Sequence, residues 1–202
     1  LLARGEEVVC VDNFLLGKKE HLSDALSNNN FQLHEFDLLD LDTLDCLFHE
    51  QDFDMVYHLA SNSDIQAGCN RLDIDLKNTF LTTFNILSCM KNHGVGEILF
   101  ASSSAIYGNI NKILQEDTGP LFPISNYGAA KLASEAYISA FCESCNMKAW
   151  IIRFPNVVGR HLTHGVIYDF LNRLEKDQSE LLVLGDGKQQ KPYLYIDDLI
   201  NA

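Results

Sequence analysis

Apolar and polar positions alternate in two rhythms along the chain, and the rhythm changes every ten to twenty residues. "EVVCVDNF" (7–14) has four apolar or cysteine residues among its first six, the unbroken pattern of a buried strand. "KEHLSDALS" then reads as a short helical stretch and "FQLHEFDL" as a strand. "LDTLDCLFHE" is helical and "FDMVYHLA" is a strand, while "NTFLTTFNILSCMKNHG" predicts a helix closed by its glycine. "GEILFASSS" is a strand, "ISNYGAAKLASEAY" opens a helix, and "KAWIIRFPNVVG" reads as one further strand. Strands alternating with helices predict an α/β fold with a parallel, doubly wound sheet. Ligands of such sheets bind beyond the carboxyl ends of the strands, so candidate chemistry is sought there.

Composition narrows the partners. The 202 residues are 47% hydrophobic and 21% charged, enough for one substantial core or for one domain and part of another. A formal charge of −13 argues against nucleic acid and anionic membrane, which call for a basic face. No apolar run approaches membrane-spanning length, "LLARGEE" has no signal-peptide pattern, and there is no N-x-S/T site. Six scattered cysteines complete the expectation of a reducing cytoplasm. Cys142 and Cys145 form C-x-x-C inside a helical pattern with no second ligand pair, which favours structural thiols over a redox or zinc site.

Four strand ends carry polar groups. Asp12 closes the first strand, where an acid can bind adenosine ribose hydroxyls; an ordinary strand-end turn accounts for it equally well. A Gly-rich phosphate loop would stand about 20 residues upstream, yet only Gly5 precedes Asp12, so the chain is expected to begin downstream of that loop. Asp37 ends the next strand, "HLAS" the third and "ASSSAIYG" the fourth. Three serines at a strand end offer hydroxyls to a ligand crevice, or form a plain polar exit. Tyr127 and Lys131 stand four apart and share a helix face. The pair suits a packed tyrosine beside a solvated lysine; it also suits a phenol whose pKa a neighbouring ammonium lowers. With a serine to orient the oxygen being oxidised, Tyr and Lys make a complete proton-transfer set.

"VVCVDNF", "FDMVYHLA", "ILFASSSAIYG", "PISNYGAAKLASE", "IIRFPNVVG" and "LGDGKQQKPYLYIDDLINA" together resemble the extended short-chain dehydrogenase/reductases, in particular the NAD-dependent nucleotide-sugar epimerase/dehydratase group. The resemblance covers essentially the whole chain. It implies a Rossmann-type sheet lacking its first strand and Gly-rich loop, with NAD as cofactor and a nucleotide sugar, a UDP-hexose, as substrate. It further implies a homodimer in the complete protein. The expected organisation is an NAD-binding domain over 1–159, the start of a substrate-binding region over 160–190, and a return to the first domain over 191–202.

Residue by residue, the resemblance makes Tyr127 the catalytic base, Lys131 its partner on the nicotinamide ribose, and Ser103 the catalytic hydroxyl. Asp12 and Asn13 fall at the adenosine ribose, Asp37 and Leu38 at the adenine, and Ala60 and Ser61 beside the cofactor. Phe154 lines the nicotinamide; Asn156, Ser104 and Lys191 fall on the substrate side. Asp75 stands where many members have Asn, and Pro155 interrupts the usual residue before Asn156. Lys191 and Pro192 replace a common Arg-Asp pair, so the charge is kept and the bidentate fork is lost. In the dehydratases and decarboxylases of this group an acid follows the catalytic hydroxyl within two residues. Here those positions are Ser104 and Ala105, neither of which can move a proton for elimination. The expectation is a 4-epimerase of the UDP-glucose/UDP-galactose type. The alternatives are a dehydratase, decarboxylase or dehydrogenase of the same family, or a non-catalytic NAD-binding member. His161 and His164 are spaced for a metal but lack a third ligand, so no metal is expected. "LGDGKQQ" has no helix behind it and reads as a turn, not a phosphate loop.

Overall fold

The structure, a computed structural model, describes residues 1–163, 165–183 and 185–202, with Gln66 described by its backbone alone. His164 of the candidate histidine pair therefore lies outside the described residues. The chain divides into two compact units, Leu1–Arg153 and Phe154–Ala202.

The first unit opens with strand β1 (Val8–Val11), a 3-10 turn running into the short helix α1 (Ser23–Leu26), strand β2 (Phe31–His34) and helix α2 (Leu41–Glu50). Strand β3 (Val56–His58), helices α3 (Ile65–Asn70) and α4 (Asp73–Asp75), a π-helical turn over Leu76–Leu81 and helix α5 (Thr82–His93) follow. Strand β4 (Glu97–Ser103), helix α6 (Asn126–Cys145) and strand β5 (Lys148–Phe154) complete the series. β1 pairs in parallel with β2, Val8 opposite Phe31. β3 pairs in parallel with β4, His58 opposite Phe100, in a sheet of order β3-β4-β5. The parallel α/β architecture expected from the alternating pattern is present, in two pieces.

The core lies between β4 and the helices. Leu44 and Phe48 of α2, Leu87, Cys89 and Met90 of α5, Ile98 and Phe100 of β4 and Ile138 of α6 form one buried cluster. Their burial on single faces is what the helical and strand spacings require. The helix ends follow local chemistry. Asp40 caps α2 by accepting from Thr43 N at 3.2 Å, and Gly94 closes α5 at φ 77. In the π turn the Thr79 carbonyl accepts from the hydroxyls of Thr82 (3.1 Å) and Thr83 (2.7 Å) as well as from the Thr82 backbone N–H.

The second unit holds strand β6 (Asn156–Val158), helix α7 (Val166–Lys176), strand β7 (Tyr193–Tyr195) and helix α8 (Ile196–Asn201). β6 and β7 pair in parallel, Asn156 opposite Tyr193. The single strand expected over "KAWIIRFPNVVG" is thus two. Pro155, which has no N–H to give a ladder, separates β5 from β6.

Candidate active site

Helix α6 begins where Ser125 Oγ accepts from Gly128 N at 3.1 Å. Gly128 lets this first turn press on the 3-10 turn Ser104–Tyr107, since a Cβ there would lie 2.6 Å from the Ala105 carbonyl oxygen. That approach brings Tyr127 beside Ser103, near enough for the hydroxyl to oppose the rise that burial imposes on the phenol's pKa. Ser103 Oγ also accepts from Ala105 N at 3.2 Å, capping the turn that carries Ser104.

Lys131, 1% exposed, lies under this pair. Its Nζ donates to the Ala101 carbonyl at 2.5 Å and stands 4.8 Å from the Phe100 ring centroid and 5.8 Å from that of Tyr127. Burial draws its pKa down to about 8. Beneath it His58 is buried and stacked on Phe100, centroids 5.6 Å apart. Burial first, and the Lys131 charge second, pull His58 down to about 3, so its ring is neutral. Thr83 gives its own proton to the Thr79 carbonyl, so His58 Nε2–H is the donor in their 2.9 Å bond.

Tyr127 departs from the expectation that lysine sets its pKa. Desolvation raises it above the usual phenol value, outweighing the Ser103 hydroxyl, and the Asp75 charge raises it further. The ammonium meanwhile is directed at the Ala101 carbonyl. Asp75 is itself notable: it is 1% exposed, and its Oδ1 accepts from Asn62 Nδ2 at 2.8 Å. Its Oδ2 has no hydrogen-bond partner among the described residues, and a Cβ at Gly68 would fall 1.9 Å from it.

The expected cofactor residues gather at the β1 and β2 ends. Asp12 Oδ1 accepts from Phe14 N (2.7 Å), and Asn13 Nδ2 donates to Asp37 Oδ2 (3.0 Å). Asp37 Oδ1 accepts from Leu39 N at 2.9 Å, an Asx turn that aims the carboxylate outward. Leu38 is different: its side chain is buried in the core and its carbonyl accepts from Asn85 Nδ2 at 2.9 Å. Ala60 is exposed and Ser61 half-buried in the segment leaving β3. A cavity of about 390 Å³ opens between Leu15 and Leu16, Asn62, and Lys77 and Asn78. In the second unit Phe154 is half-buried, Lys191 is exposed, and Asn156 Nδ2 donates to the Pro192 carbonyl at 3.1 Å.

Sequence reasoning missed one cluster. Glu135, Arg153, Ser102 and Tyr107 form a hydrogen-bonded group behind Ser103. The available signal was the i,i+4 step from Lys131 to Glu135, which repeats the step from Tyr127 to Lys131. The described residues hold no metal-binding cluster.

The NAD dependent epimerase/dehydratase family model matches residues 1–202, and the chain belongs to this family. It is 29% identical to a putative UDP-glucose 4-epimerase of Methanocaldococcus jannaschii, over all of this chain and 66% of that protein. It is equally 29% identical to UDP-glucuronic acid decarboxylase 1 of Xenopus tropicalis, over all of this chain and 48% of that one. Among solved structures, a UDP-galactose 4-epimerase aligns with TM-score 0.86 and 34% identity over 99% of this chain and 63% of that chain. A Thermus thermophilus UDP-glucose 4-epimerase in complex with NAD aligns with TM-score 0.86 and 30% identity, over 99% of this chain and 66% of that chain. The chain thus spans less than two thirds of the length of these relatives.

NAD is the cofactor of this family. The residues present fit its two nucleoside ends. The Asp12 carboxylate has the acceptor chemistry a ribose hydroxyl would need, and the Asp37 carboxylate that of an adenine amino group. Lys131 has one N–H committed to Ala101, which leaves donors for a second hydroxyl.

Proposed function

We propose that the protein is a nucleotide-sugar 4-epimerase acting on a UDP-hexose of the glucose/galactose type. One observation carries the reading: Ser103 and Tyr127 meet beside two positions, Ser104 and Ala105, that hold no acid. Elimination of water needs a titratable group within reach of the sugar.

NAD, when bound, would supply the hydride acceptor and donor for the sugar's C4. Tyr127 takes the proton of the 4-hydroxyl and gives it back after the 4-keto sugar has rotated. Ser103 orients the same oxygen. Lys131 holds the nicotinamide ribose and favours the phenolate when its ammonium turns from Ala101. Asp12, Asn13 and Asp37 hold the adenosine end, beside Ala60 and Ser61, while Phe154, Asn156, Ser104 and Lys191 serve the nicotinamide and sugar-nucleotide side. A homodimer belongs to this reading, supported by exposed aromatic faces on α5 and α6, where Phe84 and Tyr137 meet edge to face at 6.1 Å. The charge of −13 argues against nucleic-acid and anionic-membrane partners, and the six free cysteines support a reducing, cytoplasmic setting.

The test is to incubate the natural protein with UDP-glucose, UDP-galactose and their N-acetyl forms, and to follow products by chromatography and mass. An epimer of unchanged mass is the expected result. Loss of water or carbon dioxide as the main product overturns the reading in favour of a dehydratase or decarboxylase.

A further inference from the structure

We propose that Glu135 and Arg153 are positioning residues: their ion pair clamps the end of β4 against α6 and fixes the separation between Ser103 and Tyr127. The inference rests on the reading of those two residues as the proton-transfer pair. Glu135 lies one turn past Lys131 and two past Tyr127, on the same helix face. Its carboxylate accepts from Ser102 Oγ at 2.5 Å and from Arg153 Nε at 3.1 Å and Nη2 at 2.8 Å. Arg153 Nη1 donates to Tyr107 Oη at 3.0 Å and to the Glu116 carbonyl at 2.8 Å. Tyr107 passes its own proton to the Gln115 carbonyl at 3.0 Å.

One guanidinium therefore ties β5 to α6 and to both arms of the loop that leaves Ser103. Ser102 is the residue before Ser103, so the β4 end cannot slide along α6 without breaking the Ser102–Glu135 bond. A bidentate fork is directional, and a displaced geometry would leave a buried charge unpaired, which makes the clamp stiff. The Glu135 side chain is 8% exposed, and both of its oxygens are engaged. It is therefore placed to hold the site, not to exchange protons with a substrate. The carboxylate and the Tyr107 oxygen in turn keep Arg153 charged, raising its pKa. The physical consequence is kinetic: a reacting geometry loosened by about 1 Å costs on the order of 100-fold in rate.

The experiment compares Ser102→Ala, Glu135→Gln and Arg153→Lys in the natural protein. The readout is reduction of bound NAD on adding UDP-glucose or UDP-galactose, followed by the near-ultraviolet absorbance of the reduced nicotinamide. Melting midpoint and affinities for NAD and nucleotide sugar are measured alongside. Ser102→Ala leaves the ion pair intact; it should slow reduction by about 10-fold with affinities and midpoint close to wild type. Glu135→Gln should slow it by about 100-fold, and Arg153→Lys, which keeps charge without the fork, should fall between. Wild-type reduction rates in Ser102→Ala and in folded Glu135→Gln would overturn the proposal. So would rate losses that merely track the melting midpoint across the three, with Ser102→Ala silent. Should Glu135→Gln fail to fold, Ser102→Ala alone decides between these outcomes. Oxidation at the sugar is common to epimerisation, dehydration and decarboxylation. A change in product identity would therefore overturn the epimerase reading while leaving this rate comparison standing.

Discussion

The two ends of the candidate site are built in opposite ways. Around Tyr127 the polar groups are enclosed and tied to distant parts of the chain: His58 to Thr83, Lys131 to Ala101, Glu135 to Ser102 and Arg153. Around Asp12 they are half-exposed, and three of their four hydrogen bonds reach only two residues along the chain; the Asn13–Asp37 bond is the exception. A proton-transfer pair must be held in one geometry, and burial with long-range bonds achieves that at the cost of desolvating charges. A carboxylate that has only to be aimed at a ligand group is served well enough by a turn. Burial also shifts pKa values at the first end: Tyr127 upward, Lys131 down to about 8 and His58 down to about 3.

The largest effect that would break this comparison belongs to Tyr127. In the natural protein Tyr127→Phe should cost about 10²–10⁴-fold in turnover, the range of a positioned acid–base group, while nucleotide-sugar binding stays near wild type. Steady-state kinetics with near-normal turnover would remove Tyr127 from the chemistry and reduce the enclosed end to ordinary core.

Next comes the response to acid. His58 titrates near 3 when folded and near 6.5 when free, so the unfolded chain binds the extra proton first. The neutral ring costs nothing above pH 6.5; as pH falls from 6.5 towards 3, stability should drop by roughly 1.4 kcal/mol per unit from this group. His58→Phe keeps a ring against Phe100, and Thr83 retains its bond to the Thr79 carbonyl at 2.7 Å. Chemical denaturation of both forms at pH 7 and pH 5 should show a shallower loss in the variant. Parallel losses would mean that His58 takes up its proton as readily in the fold as in the unfolded chain.

The smallest effect sharpens the open end. Asp12→Asn keeps an oxygen for the Phe14 N–H and removes the charge offered to a ribose hydroxyl. NAD affinity of the natural protein should fall by roughly 10-fold, as for one charge-assisted hydrogen bond, with the melting midpoint unchanged. Calorimetry giving wild-type affinity would take Asp12 out of the cofactor site. A large drop in midpoint would instead make it part of the scaffold.

Much of this was legible in the residues themselves. The alternation of periods gave the parallel α/β order, because strand and helix spacings are local and each element here buries one face or two. The Tyr127–Lys131 step and the run of serines ending β4 were visible as candidates, because a fixed step along one helix and a strand end are local features; singling out Ser103 took the family resemblance. The glycine after "KNH" announced the end of α5 through its left-handed φ of 77. Local signals also misled at one place: the apolar run "KAWIIRFPNVVG" hid the break at Pro155, one residue past the start of the second unit at Phe154.

Other features were decided only by tertiary structure. Nothing near Glu135 in the sequence says that Ser102, 33 residues away, and Arg153, 18 residues away, will meet its carboxylate. Nor does the Tyr–Lys step reveal that the lysine will turn to the Ala101 carbonyl while burial and Asp75 raise the phenol's pKa. Position along a helix is set by local geometry, whereas desolvation and charge pairing are sums over whatever the fold packs around a group. Which groups are chemically able to act is written in the residue types and their spacing; the protonation state in which each one waits is a property of the packed core.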